Sequence, residues 1–289
     1  DCASSKERAT SPLPMTDFAK SREILEKILK DKKIGLPEGI SAGELLSMLY
    51  FADEKAHVPM IPLDQGTLVQ WANPNASKEN PSQEDINAAT LLRLTIVYHL
   101  AKGLRDKGKN VGFLLDRPAL EALNDKGAEE GQVSYLIRKG LLPKDFREVL
   151  KDVPLVAQME ETRGKRGIIP REGKLDVYDV YSAQRRDGFT VKEAMELGVR
   201  MIKSNVFFYC GPKLTIYEEE FNERQWKFIE DLAKECRENN IGFVSELLFM
   251  VPVSKKAEEK EYTQTKEYME AHAKATIETA KRMKQIRGI

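Results

Sequence analysis

The sequence predicts an α/β protein, and three observations carry that reading. Short apolar runs of strand length alternate with helical stretches from about residue 58 onward. The runs are continuous rather than alternating, as expected for parallel strands covered on both faces. Most of them close on a polar residue, usually an acid, where parallel α/β folds gather their chemistry. About five strand–helix units can be counted, and two architectures compete for them: a (β/α)8 TIM barrel and an open doubly wound sheet. No G-x-G-x-x-G or G-x-x-x-x-G-K-[ST] follows any run. The nucleotide-binding form of the open sheet thereby loses its main support, and the barrel is the expectation.

Each element has its own warrant. Residues 1–16 are polar and contain Ser and Pro, so they read as a flexible arm. Residues 17–289 read as one barrel domain, with extra helices over 17–56 preceding the first strand. "DFAKSREILEKILKDKK" (17–33) sets Phe18, Ile24, Leu25, Ile28 and Leu29 on a helical stripe, with Asp17 as N-cap. "SAGELLSMLYFADEKA" (41–56) opens with Ser41 and Glu44 three residues on, a capping box. "VPMIPLDQG" (58–66) is the first strand. A helix over 82–108 starts at Ser82, has Asp85 at the capping-box position and ends at Gly108. "NVGFLLDRP" (110–118) is the second strand, and "ALEALNDKG" supplies a turn or two of helix.

Helix 132–152 breaks between Gly140 and Pro143. "VPLVAQMEE" (153–161) is the third strand. The Gly- and Arg-rich stretch 162–187 reads as a long loop. A short helix over 190–198 leads to the fourth strand, "VRMIKSNVFFYCG" (199–211). An amphipathic helix over 218–240, a fifth strand over 241–253 and a long helix over 263–288 complete the order, with "SKKAEEKE" (254–261) as a solvated loop and helix start.

Bulk composition excludes several classes. Lys+Arg and Asp+Glu both number 46, so net charge gives no reason to expect nucleic acid or an anionic membrane as partner. No apolar run approaches the roughly 20 residues of a membrane-spanning helix. The opening "DCASSKERATSPLPMTDF" lacks the apolar core of a signal peptide. Cys2 suggests a lipoprotein, but Asp1 stands before it where a processed lipoprotein would begin with the cysteine. Cys2, Cys210 and Cys236 lack metal-ligand spacing and read as reduced thiols of a cytoplasmic protein. His57, His99 and His272 are equally scattered, so no zinc site is expected.

The polar residues at the strand ends are the candidate site. Asp64 follows "MIPL", Asp116 follows "VGFLL", Glu160 and Glu161 follow "LVAQM", Lys203 follows "VRMI", and Glu246 lies inside "IGFVSELLFM". Singly, each has a structural alternative: a strand-end Asp caps the next helix, a strand-end Lys snorkels, and Lys203 with Glu246 can be a structural ion pair. Converging on one rim, a lysine and several carboxylates suit carbonyl chemistry. An amine can attack or stabilise a carbonyl, and a neighbouring carboxylate can move the protons.

Four segments together resemble the tagatose 1,6-bisphosphate aldolase family: "PLDQGTL" (62–68), "FLLDRP" (113–118), "MIKSNVFFY" (201–209) and "ENNIGFVSELLFM" (238–250). The resemblance runs from about residue 58 to the end. It implies a (β/α)8 barrel and a class I, metal-independent aldolase without cofactor, cleaving a phosphorylated ketose such as tagatose 1,6-bisphosphate into two triose phosphates. It implies Lys203 as a second active-site lysine, Glu246 as acid/base, and Asp64 as a positioner of hydroxyls or proton relay. Gln65, Asp116 and Glu160 are the implied substrate contacts. A phosphorylated sugar is the expected partner, and a homo-oligomer is compatible.

Two departures accompany it. Gly66 directly follows Gln65, where the family has an arginine. The family's imine-forming lysine lies in an Asp-Val-x-Lys-x-Glu strand after the long helix, and this sequence ends at "KRMKQIRGI". The expectation is a chain shortened at its C-terminus, with Lys203 as imine former in second place. A phosphosugar isomerase or epimerase on the same barrel, and a non-catalytic sugar-phosphate-binding barrel, are the alternatives.

Overall fold

The structure, a computed structural model, describes residues 18–33, 35–36, 40–51, 59–77, 81–105, 107, 111–124, 132–151, 153–161, 165–171, 174–180, 184–185 and 189–287. The arm 1–16, the Asp17 cap, Cys2 and His57 lie outside the described residues. Helices α1 (Phe18–Asp31) and α2 (Ala42–Phe51) precede strand β1 (Met60–Pro62). Then come α3 (Leu68–Ala72), α4 (Gln83–Arg105), β2 (Gly112–Leu115), α5 (Arg117–Leu123), α6 (Gln132–Arg138), α7 (Phe146–Leu150) and β3 (Leu155–Gln158). Four antiparallel pieces follow: β4 (Glu160–Glu161), β5 (Lys165–Arg171), β6 (Lys174–Val180) and β7 (Gln184–Arg185). The chain continues through α8 (Val191–Glu196), β8 (Met201–Tyr209), α9 (Ile216–Glu238), β9 (Gly242–Met250), a 3-10 turn (Val253–Glu258), α10 (Glu259–Tyr262) and α11 (Lys266–Arg287).

The main sheet has five parallel strands in the order β1-β2-β3-β8-β9, so each strand pairs with the one before it in the main sheet and the order never reverses. A doubly wound sheet reverses at its switch point; this one does not. The sheet is also strongly curled. Three strand spacings separate β1 from β8, about 14 Å across a flat sheet. Yet Asp64, just beyond β1, reaches within 3.5 Å of Lys203 on β8. The architecture is thus a curled half-barrel, compatible with part of a TIM-like fold. Among the described residues, β1 and β9 form its edges.

Alternation along the strands builds two apolar layers. Phe113, Leu115, Ala157, Ile202, Val206 and Phe243 face outward and join the main core with Leu94 and Val97 of α4, Leu120 of α5 and Ile229 of α9. Leu114, Val156 and Met201 face inward and pack against Phe51 of α2, with Met48, Tyr50 and Met60 beside them. Helix α2 therefore plugs the half-barrel at the N-terminal ends of its strands. Its fit is close. The Ser47 hydroxyl accepts the buried Gly242 N–H at 3.0 Å. A Cβ on Gly43 would stand 2.2 Å from the Asn240 carbonyl oxygen, and one on Gly112 would stand 2.5 Å from the Phe51 ring. With α2 packed at that end, the cleft described below opens toward the C-terminal ends of the strands.

Local expectations mostly hold. The Ser41–Glu44 capping box forms in both directions, at 2.9 and 3.1 Å, and so does Ser82 with Asp85. Stretch 162–187 corrects the sequence reading. In place of a loop it carries an antiparallel ribbon, β5 on β6 in register from Lys165↔Val180 to Arg171↔Lys174, with β4 on β7 at its base. Its glycines and charges masked a strand pattern that only cross-strand pairing stabilises. At 254–261 the expected helix start is found as α10, and the solvated loop before it is a largely exposed 3-10 turn.

Candidate functional site

The site is best built from Arg93 outward, a residue that sequence reasoning passed over. Arg93 lies inside α4 and is 2% exposed. Its Nε donates to the Leu63 carbonyl at 2.7 Å and its Nη2 to the Gln65 carbonyl at 3.2 Å. The same Nη2 sits 3.2 Å from Asp116 Oδ2. One planar guanidinium thus clamps the backbone on both sides of Asp64 and ties it to the end of β2. Asp116 also caps α5, accepting from the Ala119 N–H at 3.3 Å. Its carboxylate is turned to Arg93 and α5, away from the cleft.

Asp64, so held, faces Lys203 across the half-barrel. The Lys203 ammonium lies 2.9 Å from Glu246 Oε2 and 3.5 Å from Asp64 Oδ2, and it donates a short hydrogen bond to Asn205 Oδ1. Register explains the grouping. Lys203 pairs with Gln158 on β3 and Val244 on β9, and Asn205 pairs with Glu246. Period-two alternation then turns Gln158, Lys203, Asn205 and Glu246 to the same inner face. The side chains of Lys203 and Asp64 are 8% and 5% exposed, whereas Glu246 is 55% exposed. One carboxylate anchors the lysine; the other remains at the solvent boundary.

These groups line a cleft of about 460 Å³ at the C-terminal ends of the strands, together with Gln65, Gly66, Gln158 and Phe207. Asp64, Lys203, Glu246 and Gln65 are thus brought together; Asp116 and Glu160 do not reach the wall. Lys203 is the single cation among the described lining residues, and it is already matched by two acids. A phosphate group would therefore need cations from outside this set. Gly66 stands at the wall with nothing within 4 Å of where a Cβ would point, so the missing family arginine leaves open space.

Glu160 is fully buried. Its Oε1 accepts from Gln158 Nε2 at 2.8 Å, while Oε2 has no hydrogen-bond partner. Burial pushes its carboxyl above the ordinary value of 4.5, with the Gln158 bond, the Asn205 backbone N–H and the Lys203 charge opposing it more weakly. Gln158 and Asn205 are two further wall residues that sequence reasoning missed. Asn205 had a signal in the sequence, two residues from Lys203 and so on the same face of its strand; Gln158 is placed there by the pairing of β3 with β8.

A larger cavity of about 580 Å³ lies between α9 and α11. Of its two lining cations, Arg282 is closed down on Glu223 at 2.8 and 3.1 Å and stacked over Trp226 at 4.5 Å, and Lys274 stands 3.9 Å from Glu278, so the cavity offers less for chemistry. No group of three or more His, Cys, Asp or Glu suited to a metal ion occurs among the described residues. No described helix is long and apolar enough to cross a membrane. No protein-family model and no curated protein matches the chain.

Proposed function

We propose that this chain carries one wall of a class I aldolase site acting on a phosphorylated ketose such as tagatose 1,6-bisphosphate. The observation that supports it is the meeting of Asp64, Lys203 and Glu246 in one cleft, Asp64 from just beyond β1 and the other two from within β8 and β9. Carbon–carbon cleavage through an imine needs an amine as electron sink, a carboxylate to move protons at the carbinolamine, and a group to hold the ketose oxygens. Glu246, at the solvent boundary, takes the acid/base role. Asp64 holds a hydroxyl. Lys203, anchored between carboxylates, holds the substrate oxygens as a cation, and the imine forms on a second lysine.

Borohydride reduction of the complete translation product with tagatose 1,6-bisphosphate, followed by peptide mapping, tests this. The expected result is a substrate-dependent covalent adduct on a lysine other than Lys203. An adduct on Lys203 would reverse the two lysine roles. No adduct, with turnover abolished by EDTA, would refute the class I assignment.

One observation favours a second reading. Lys203 is locked in ion pairs while Glu246 is half free, the arrangement of a base with an electrostatic stabiliser. A phosphosugar isomerase or epimerase would use it so. Isomerised product without carbon–carbon cleavage, and without trapping, would select that reading.

A further inference from the structure

Glu160 is a carboxyl group with no exposure, no place on the cleft wall and one unbonded oxygen. Burying such a group costs free energy, so its contacts should say what it does. Its Oε1 accepts from the Gln158 carboxamide at 2.8 Å, and Gln158 is itself only 2% exposed and lines the cleft. The Oε1 that Gln158 reaches is the acceptor of that bond, so Glu160 holds the NH2 end of the amide. The carbonyl oxygen is then the polar atom Gln158 has left for the cleft.

The neighbouring amide is fixed the opposite way. Asn205 Oδ1 accepts from the Lys203 ammonium, which has no acceptor to offer. The NH2 is therefore the end Asn205 has left. Two carboxamides in one wall, each able in principle to present either end, are held in opposite senses with the Lys203 ammonium between them.

We propose that Glu160 is a positioning residue, which acts through Gln158 to set the cleft's hydrogen-bond pattern as acceptor (Gln158), cation (Lys203), donor (Asn205). This pattern fits a ligand with a hydroxyl that donates to Gln158 beside a carbonyl oxygen held by Lys203 and Asn205: an α-hydroxyketone. That ligand assignment rests on the aldolase reading; the fixed amide does not. A ligand with a second acceptor in place of the hydroxyl would leave Gln158 and itself facing oxygen to oxygen, and would be rejected.

Solvent exchange of the Gln158 side-chain NH2, followed by NMR with 15N-labelled glutamine and assigned through Gln158→Leu, tests the lock without any ligand. One net hydrogen bond corresponds to at least about fivefold slower exchange than an exposed glutamine shows. That protection is expected in the wild type, is retained in Glu160→Gln, whose carbonyl still accepts, and is lost in Glu160→Leu. An unprotected Gln158 amide in the wild type overturns the proposal even if Glu160→Leu fails to fold; so does protection that survives Glu160→Leu.

Calorimetry then separates the lock from the aldolase reading. Tagatose 1,6-bisphosphate is expected to bind about tenfold more weakly to Glu160→Leu than to Glu160→Gln, the loss of roughly one hydrogen bond. A wild type with a protected amide that binds no ketose bisphosphate sinks the aldolase reading and leaves the lock standing. Equal binding by the two variants refutes the ligand assignment.

Discussion

Replacing Lys203 by Met keeps the volume of the side chain and removes its charge. The effect on stability follows from how the two carboxylates are placed. Asp64 is 5% exposed at 3.5 Å, and at an effective dielectric of about 20 that pair is worth about 5 kcal/mol of gross attraction. The desolvation already suffered by Lys203 and Asp64 offsets much of it. What remains after substitution is a buried, uncompensated carboxylate, and breaking a buried pair in this way costs about 3 kcal/mol. Glu246, 55% exposed, can turn to water, so its bond adds at most about 1 kcal/mol.

Lys203→Met should therefore lower the urea-unfolding free energy by about 3 kcal/mol, while Glu246→Gln lowers it by under about 1 kcal/mol. Adding Asp64→Asn to Lys203→Met should restore most of the loss, because the orphaned charge goes with it. A Lys203→Met cost below about 1 kcal/mol, or a double variant no better than the single, would refute this reading of the site.

Other outcomes follow from the same geometry. Ser47→Ala strands the buried Gly242 N–H and should cost about 1–3 kcal/mol in chemical denaturation, whereas an unchanged midpoint would mean α2 does not seal the half-barrel. Glu160 titrates higher folded than unfolded, so the folded state holds its proton to higher pH. Stability owed to this group is present below the ordinary value of 4.5 and is lost as pH rises through the folded value. Thermal melts from pH 4 to 8 should accordingly fall less steeply with rising pH in Glu160→Gln than in the wild type. Burial pushes the Cys210 thiol up to about 11, so its alkylation at pH 8 should be slow until the protein is unfolded; labelling at the rate of an exposed thiol would contradict its placement.

The parallel strands were legible because a sheet covered on both faces demands continuous apolar runs, and the helices on either side set their length. Their acids and Lys203 were legible as a rim for the same reason. The curl was not, since nothing local in "PLDQG" states that Asp64 will stand opposite a strand three positions away. Arg93 was hidden by its setting: one cation within "TLLRLTIV" reads as a helix surface residue until the backbone it clamps is known, 28 and 30 residues away. Gln158 and Asn205 carry no charge and so drew no attention, although alternation from Lys203 would have found Asn205; Gln158 needed the pairing of β3 with β8. The ribbon at 165–180 failed for the converse reason, because its sequence has the composition of a loop and gains its order from pairing. Asp116 shows how a correct location can mislead about contacts, for its carboxylate is spent on Arg93 and the α5 cap.

The most direct test of the proposed aldolase activity is triose phosphate release from tagatose 1,6-bisphosphate by the full-length protein, wild type against Lys203→Met and Glu160→Gln. Turnover is predicted in the wild type, with a kcat lowered about 10²-fold or more in Lys203→Met, the usual effect of removing a charge-stabilising group. Glu160→Gln should stay near the wild-type rate. Wild-type protein without carbon–carbon cleavage, or a Lys203→Met variant that cleaves as fast, would contradict it.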